Sequence, residues 1–152
     1  MNDVVISIPA ASSPSSSSES AEEEWTLEGL EALLERAVLA TLEDAGISGG
    51  ELSVTLLGDA EIQSLNERYL GKDQPTDVIS FSLPGPGGEL VGDIYIGAQQ
   101  ARRQPGPWTE ELVRLAIHGT LHVLGHDHPE DEARYASPMF QVQERLVRAV
   151  LS

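Results

Sequence analysis

Cysteine is absent from this 152-residue chain, and lysine is nearly so: Lys72 is the one lysine among nine basic residues. Without thiols there can be no disulfide and no thiolate metal ligand, which fits a reducing, cytoplasmic setting. Basic charge is scarce too. Twenty-five acidic residues against nine basic ones give a formal net charge of −16, so the surface as a whole repels nucleic acid and any such contact has to be local. The first 25 residues hold five acids and no base, yet the remainder still carries an excess of eleven negative charges. A lysine-poor acidic surface of this kind also stays soluble at high ionic strength, where the repulsion is screened. Long apolar runs are missing as well. Val4–Ile8 is too short for a secretory core and has no basic start, and nothing in the chain reads as a membrane span.

What remains is ordinary for one soluble domain: 40% hydrophobic residues over a length that can bury a core, giving a single domain over residues 1–152. Val4–Ile8 reads as a strand, and the serine-rich, then acidic stretch at about residues 9–24 as a flexible loop. Leu27, Leu30, Leu34, Val38 and Leu42 recur at helical spacing behind a Thr26 cap, and Gly46 closes that helix. Residues 51–57 alternate as a half-buried strand, after which Asp59 caps a helix carrying Ile62, Leu65 and Tyr69. Asp77–Ser82 and Val91–Ile96 read as two further strands that pair across a Pro/Gly-rich loop. Thr109 caps a helix whose Leu112, Ala116, Gly119 and Val123 face the core, and Ser137-Pro138 opens a last helix with Met139, Val142, Leu146 and Val150 as its stripe. The order β-α-β-α-β-β-α-α predicts an α+β fold: a small mixed sheet of about four strands packed with four to five helices.

The chemistry is concentrated in one place. All four histidines lie in His118-Gly-Thr-Leu-His122-Val-Leu-Gly125-His126-Asp127-His128. A spacing of four stacks His118 and His122 on one helix face, where they can grip a single ion. Gly125 supplies the left-handed conformation that ends a helix. His128, two residues further on, has the reach to return to the same ion, whereas His126 would have to fold back sharply. Three neutral imidazoles suit zinc and leave a fourth tetrahedral position to water, the arrangement of a catalytic site. The spacing H-x-x-x-H-x-x-G-x-x-H is also that of metzincin peptidases, but their general-base glutamate is replaced by Gly119. Metal-activated water attacking a phosphodiester, with no protein base, is consistent with these residues. Asp77, Asp93 and Asp127 are the carboxylates near the motif, and Asp127, the nearest in sequence, is the candidate to orient a ligand histidine. An aspartate in a turn commonly bonds local backbone instead.

The histidine run resembles the signature of the YbeY-type bacterial rRNA maturation factors, metal-dependent endoribonucleases. Two other segments are similar to that family's blocks, in the family's order: Leu65-Asn66-Glu67-Arg68-Tyr69-Leu70-Gly71-Lys72-Asp73-Gln74-Pro75-Thr76-Asp77-Val78-Ile79-Ser80-Phe81 and Gly92-Asp93-Ile94-Tyr95-Ile96. The resemblance implies one zinc per chain on His118, His122 and His128, cleavage of single-stranded RNA, and work in rRNA maturation and ribosome quality control beside the small subunit or its proteins. It also places His126 where the family often has tyrosine. The chain departs from the pattern at Leu70, where the family commonly has arginine. Arg68 and Lys72 flank that position as RNA-binding candidates, with Arg102 and Arg103 further along and Arg114 one turn before His118; the plain alternative for each is solvated surface charge. Three functional classes follow: a metallo-ribonuclease, a ribosome assembly factor with a mainly structural zinc, and, least favoured because of Gly119, a metzincin-like peptidase.

Overall fold

The computed structural model describes residues 2–8, 27–128 and 132–152, and the side chains of all of these except Leu27 and Glu132. The expected loop at 9–24 and the Thr26 cap lie outside the described residues. The elements run β1 (Asp3–Ser7), α1 (Leu27–Asp44), β2 (Glu51–Leu57), α2 (Asp59–Leu70), β3 (Val78–Ser82), β4 (Val91–Gly97), α3 (Ala98–Arg102), α4 (Trp108–Val123), a 3₁₀ turn (Glu132–Ala136) and α5 (Pro138–Leu151). The strands form one mixed sheet in the order β1-β2-β4-β3, with β1, β2 and β4 parallel and β3 antiparallel on the outside. Four strands with five helices make the α+β fold that the periodicities predict.

The alternation in β2 and β4 places Leu52, Val54, Leu56, Ile94 and Ile96 on one face of the sheet, all buried. Against that face pack α1, through the fully buried Leu30, Leu34, Val38 and Leu42, and α4, through Leu112, Ala116 and Val123. Helix α4 also contacts α5, β3 and β4, so the histidine helix is held from several sides. On the other face, Tyr69 of α2 meets Phe81 edge-on at 5.3 Å between ring centres, and Phe81 meets Tyr95 at 6.0 Å.

Three local expectations need correction. Gly58, not Asp59, is the cap of α2: the Glu61 side chain accepts from the Gly58 N–H at 3.2 Å. The Asp59 carboxylate is bound by Arg103, and its own N–H is met by Gln99 at 2.6 Å. Helix α4 starts one residue early, after Pro107, because Trp108 is pulled into the core and donates its ring N–H to the Ala98 carbonyl at 3.0 Å; Thr109 is therefore a buried first-turn residue and not the cap. Helix α3 was not foreseen, since five residues are too few to show a period.

Two glycines set how close α4 comes to the sheet. A Cβ on Gly119 would stand 2.6 Å from Ile94 Cγ2, and one on Gly92 would stand 2.7 Å from Val123 Cγ1. No side chain fits at either point without moving the helix. The missing glutamate beside His118 therefore has a steric cause: position 119 points into the sheet, not into the site. Gly119→Ala is expected to cost about 1–3 kcal/mol through overpacking. Thermal or urea denaturation checks this, and Gly119→Glu should fail to fold before it could acquire any peptidase chemistry.

Candidate metal centre

Residues His118 and His122 lie one turn apart on α4, and the chain brings His128 back to them through a defined turn. Gly125 takes φ 99°, donating to the His122 carbonyl at 2.9 Å, while the His126 N–H donates to the Leu121 carbonyl at 2.9 Å. This paired closure is a Schellman motif, and it reverses the chain within three residues. The His118 Nε2 then lies 3.1 Å from His122 Nε2 and 3.3 Å from His128 Nε2, and the three ligand atoms all fall within 4.8 Å of one another. His126 is exposed and stays outside the cluster; its contribution is its backbone carbonyl, which accepts from His122 Nδ1 at 3.0 Å.

The tautomer of His118 is fixed by a chain of bonds. Arg114 holds the Glu144 carboxylate with two contacts, at 2.8 and 3.0 Å, and a carboxylate can only accept. Gln143 must therefore turn its amide nitrogen to Glu144, at 2.9 Å, which leaves Oε1 facing His118 Nδ1 at 2.7 Å. An acceptor there requires Nδ1 to carry the proton, so the Nε2 lone pair points into the cluster. The His126 carbonyl imposes the same state on His122. Asp127, the expected orienting carboxylate, instead accepts from the His128 backbone N–H at 2.8 Å, the ordinary behaviour of an aspartate in a turn.

Burial pushes the His118 imidazole down to about 4; the Gln143 bond opposes this, while the neighbouring imidazoles add to it. Burial also lowers His122. Both rings are thus neutral at pH 7, as metal ligands must be. Three lone pairs turned toward one point repel unless a cation lies among them, and nitrogens bound tetrahedrally at about 2.0–2.1 Å stand about 3.3 Å apart. The donor set therefore fits a zinc-like ion: His118, His122 and His128 could hold it.

Two hollows flank this cluster. One, of about 490 Å³, lies between α4, the 3₁₀ turn and α5 and includes Glu111, Arg114, Tyr135 and Gln143. The other, of about 550 Å³, runs along β3 and the loop after α2 and includes Leu70, Lys72 and Asp127. Asp77, His118, His128 and Arg134 border both. Of the predicted RNA contacts, Lys72 lines the hollow along β3 and Arg114 the one beside α5. Arg68 stands exposed on α2, away from both. Arg102 lies 3.8 Å over the Trp108 ring, and Arg103 pairs with Asp59. Arg114 is held by Glu110, Glu111 and Glu144. Gln143 escaped sequence reading, although a glutamine in the buried stripe of α5, spaced four from Met139 and three from Leu146, was a visible irregularity.

Replacing Gln143 by Leu should weaken zinc binding about 10–100-fold, whereas Gln143→Glu, which keeps an acceptor for His118 but loses the donor to Glu144 and sets two carboxylates together, should retain only part of it; competition with a chromogenic chelator measures both. The metal-free protein should also lose stability in acid. The unfolded chain protonates His118 near 6.5 and the folded chain only near 4, so the unfolded state binds more protons as pH falls through that window. Thermal melts in chelator should show the loss between these values, and His118→Gln should flatten it.

The family profile described as Endoribonuclease YbeY matches residues 15–150. The endoribonuclease YbeY of Moorella thermoacetica is 41% identical over 139 residues, covering 81% of this chain and 88% of the relative. That of Persephonella marina is 37% identical over 127 residues, covering 78% and 82%, and that of Thermus thermophilus 39% over 127 residues, covering 78% and 90%. A solution structure of a Thermotoga maritima protein superposes with a TM-score of 0.55 at 28% identity, covering 99% of this chain and 89% of that one. With a profile match and relatives that each span most of its length, the chain belongs to the endoribonuclease YbeY family.

Proposed function

We propose that this protein is a zinc-dependent endoribonuclease that cuts single-stranded RNA, acting in the cytoplasm on the 3′ end of 16S rRNA and in ribosome quality control beside the small subunit. The observation that carries the reading is the convergence of the three Nε2 atoms of His118, His122 and His128 where two hollows meet. Family membership adds the substrate class, since the relatives are named endoribonucleases. One zinc per chain is held by His118, His122 and His128. When bound, it supplies a Lewis acid for a phosphodiester and makes water acidic enough to react near neutral pH.

The remaining work falls to the protein. Gln143 and the His126 carbonyl keep two imidazoles in the ligating tautomer. The hollows accommodate the strand on either side of the scissile phosphate, and Lys72 presents a positive charge in one of them. Position 119 is committed to the sheet and supplies no general base. The whole of residues 1–152 acts as one domain.

Purified protein should contain about one zinc per chain and cut a single-stranded RNA, and His122→Ala and His128→Ala should lose both. Metal retained by His128→Ala would show that the third ligand is another group. An assembly-factor reading, with a mainly structural zinc, is favoured by the net charge of −16, which suits a protein partner. Chelation separates the two: loss of cutting with the fold intact supports catalysis, and loss of the fold supports a structural ion.

A further inference from the structure

In a chain this acidic, the arginines are mostly committed. Arg103, Arg114 and Arg145 are paired with carboxylates, Arg36 bonds the Val150 carbonyl, and Arg102 lies over Trp108. Arg134 differs. It sits in the 3₁₀ turn between the histidine run and α5, and among the described residues its guanidinium makes no ion pair; its one aromatic neighbour is the adjacent Tyr135, at 5.5 Å. Among the described residues it is the one arginine or lysine that borders both hollows, and its charge is near enough to act on His122.

The charges around it are otherwise negative or cancelled. Asp77 stands on the same threshold, and Asp127 lines the hollow along β3. In the hollow beside α5, Arg114 is neutralised by three glutamates. Leu70, 54% exposed on the wall facing Lys72, offers no charge. An RNA strand passing from one hollow to the other would meet Arg134 wherever it crosses the histidines, with Lys72 as the second cation of the β3 hollow. Apart from Arg134, the residues that the two hollows share are Asp77, His118 and His128.

We infer that Arg134 is a phosphate-binding residue of this site, gripping the RNA backbone next to the scissile phosphodiester as the strand crosses between the hollows. The inference rests on the ribonuclease reading and adds a substrate contact to it. A guanidinium offers two parallel N–H donors to a phosphate, so both charge and fork geometry contribute. Contact of this kind reads the backbone and not the bases, so its loss should affect all sequences alike.

The test uses zinc-loaded protein and a single-stranded 2′-O-methyl oligouridylate as binding probe, with cleavage of the matched unmodified RNA as a second readout. Arg134→Gln should weaken binding about tenfold, and the plot of log affinity against log salt should flatten by about 0.7, the contribution of one phosphate on a single strand. Arg134→Lys should restore the salt slope but only part of the affinity, because the charge returns without the fork. Arg145→Gln, which removes a distant exposed pair with Asp44, should change neither. Wild type that binds and cuts while Arg134→Gln matches it in affinity and slope overturns this inference and leaves the ribonuclease reading standing. A wild type that does not bind the probe overturns both.

Discussion

Everything at the site depends on how closely α4 lies on the sheet. The helix touches β4 where Gly119 faces Ile94 and Gly92 faces Val123, two contacts in which an added methyl would collide. Close approach of this kind fixes the rotation of α4 as well as its height, since a turned helix would bring a side chain against the strand in place of hydrogen. With Gly119 set inward, His118 and His122 are placed at the rim of the buried face, half-covered and directed toward β3 and the loop after α2. The same glycine that permits the packing thus determines where the imidazoles point, and it removes the position from which a peptidase would supply its base.

The second layer of organisation is electrostatic. The bonds from Arg114 through Glu144 and Gln143 to His118 join α4 to α5 and leave no freedom in the direction of the amide or the ring. Burial alone would raise Glu144, but the Arg114 hydrogen bonds outweigh it and hold the carboxyl below its usual range. An ionised Glu144 is what forces the amide orientation on Gln143. A chain of paired groups therefore ends in a neutral, correctly protonated imidazole, and the scarce arginine at position 114 serves ligand geometry instead of nucleic acid.

Periodicity made most of the fold readable: the stripe of α1, the alternation in β2 and the pairing of β3 with β4 all follow from spacings that survive in one sequence. Strand order did not, because parallel neighbours β2 and β4 are separated by α2 and β3 and nothing local records the crossover. The histidines were legible because a spacing of four, a glycine and a return are themselves a geometric statement. Gln143 and Arg134 were not, because each matters only through residues far away in the chain: Gln143 by facing His118 from another helix, Arg134 by standing where two hollows meet. Asp127 shows the opposite, local kind of contact. Its nearness in sequence to the histidines is what gave it a backbone N–H to bind.

The acidity of the chain and the proposed RNA substrate are compatible once charge is followed locally. Imidazoles bind a metal in the uncharged form, so a divalent ion held by the three histidines would keep its full +2 and make the junction of the hollows a positive point on a negative molecule. With a screening length of about 8 Å at physiological salt, a phosphate at that junction responds to the ion, Arg134 and Lys72 more than to distant carboxylates. The negative remainder then has a consequence of its own: RNA held only along its whole length would be repelled, and RNA offered at the groove would be accepted. On the proposed ribonuclease reading, an acidic protein of this build would select for a short, accessible single strand, because a long duplex lying across its surface would meet more repulsion than the groove can offset.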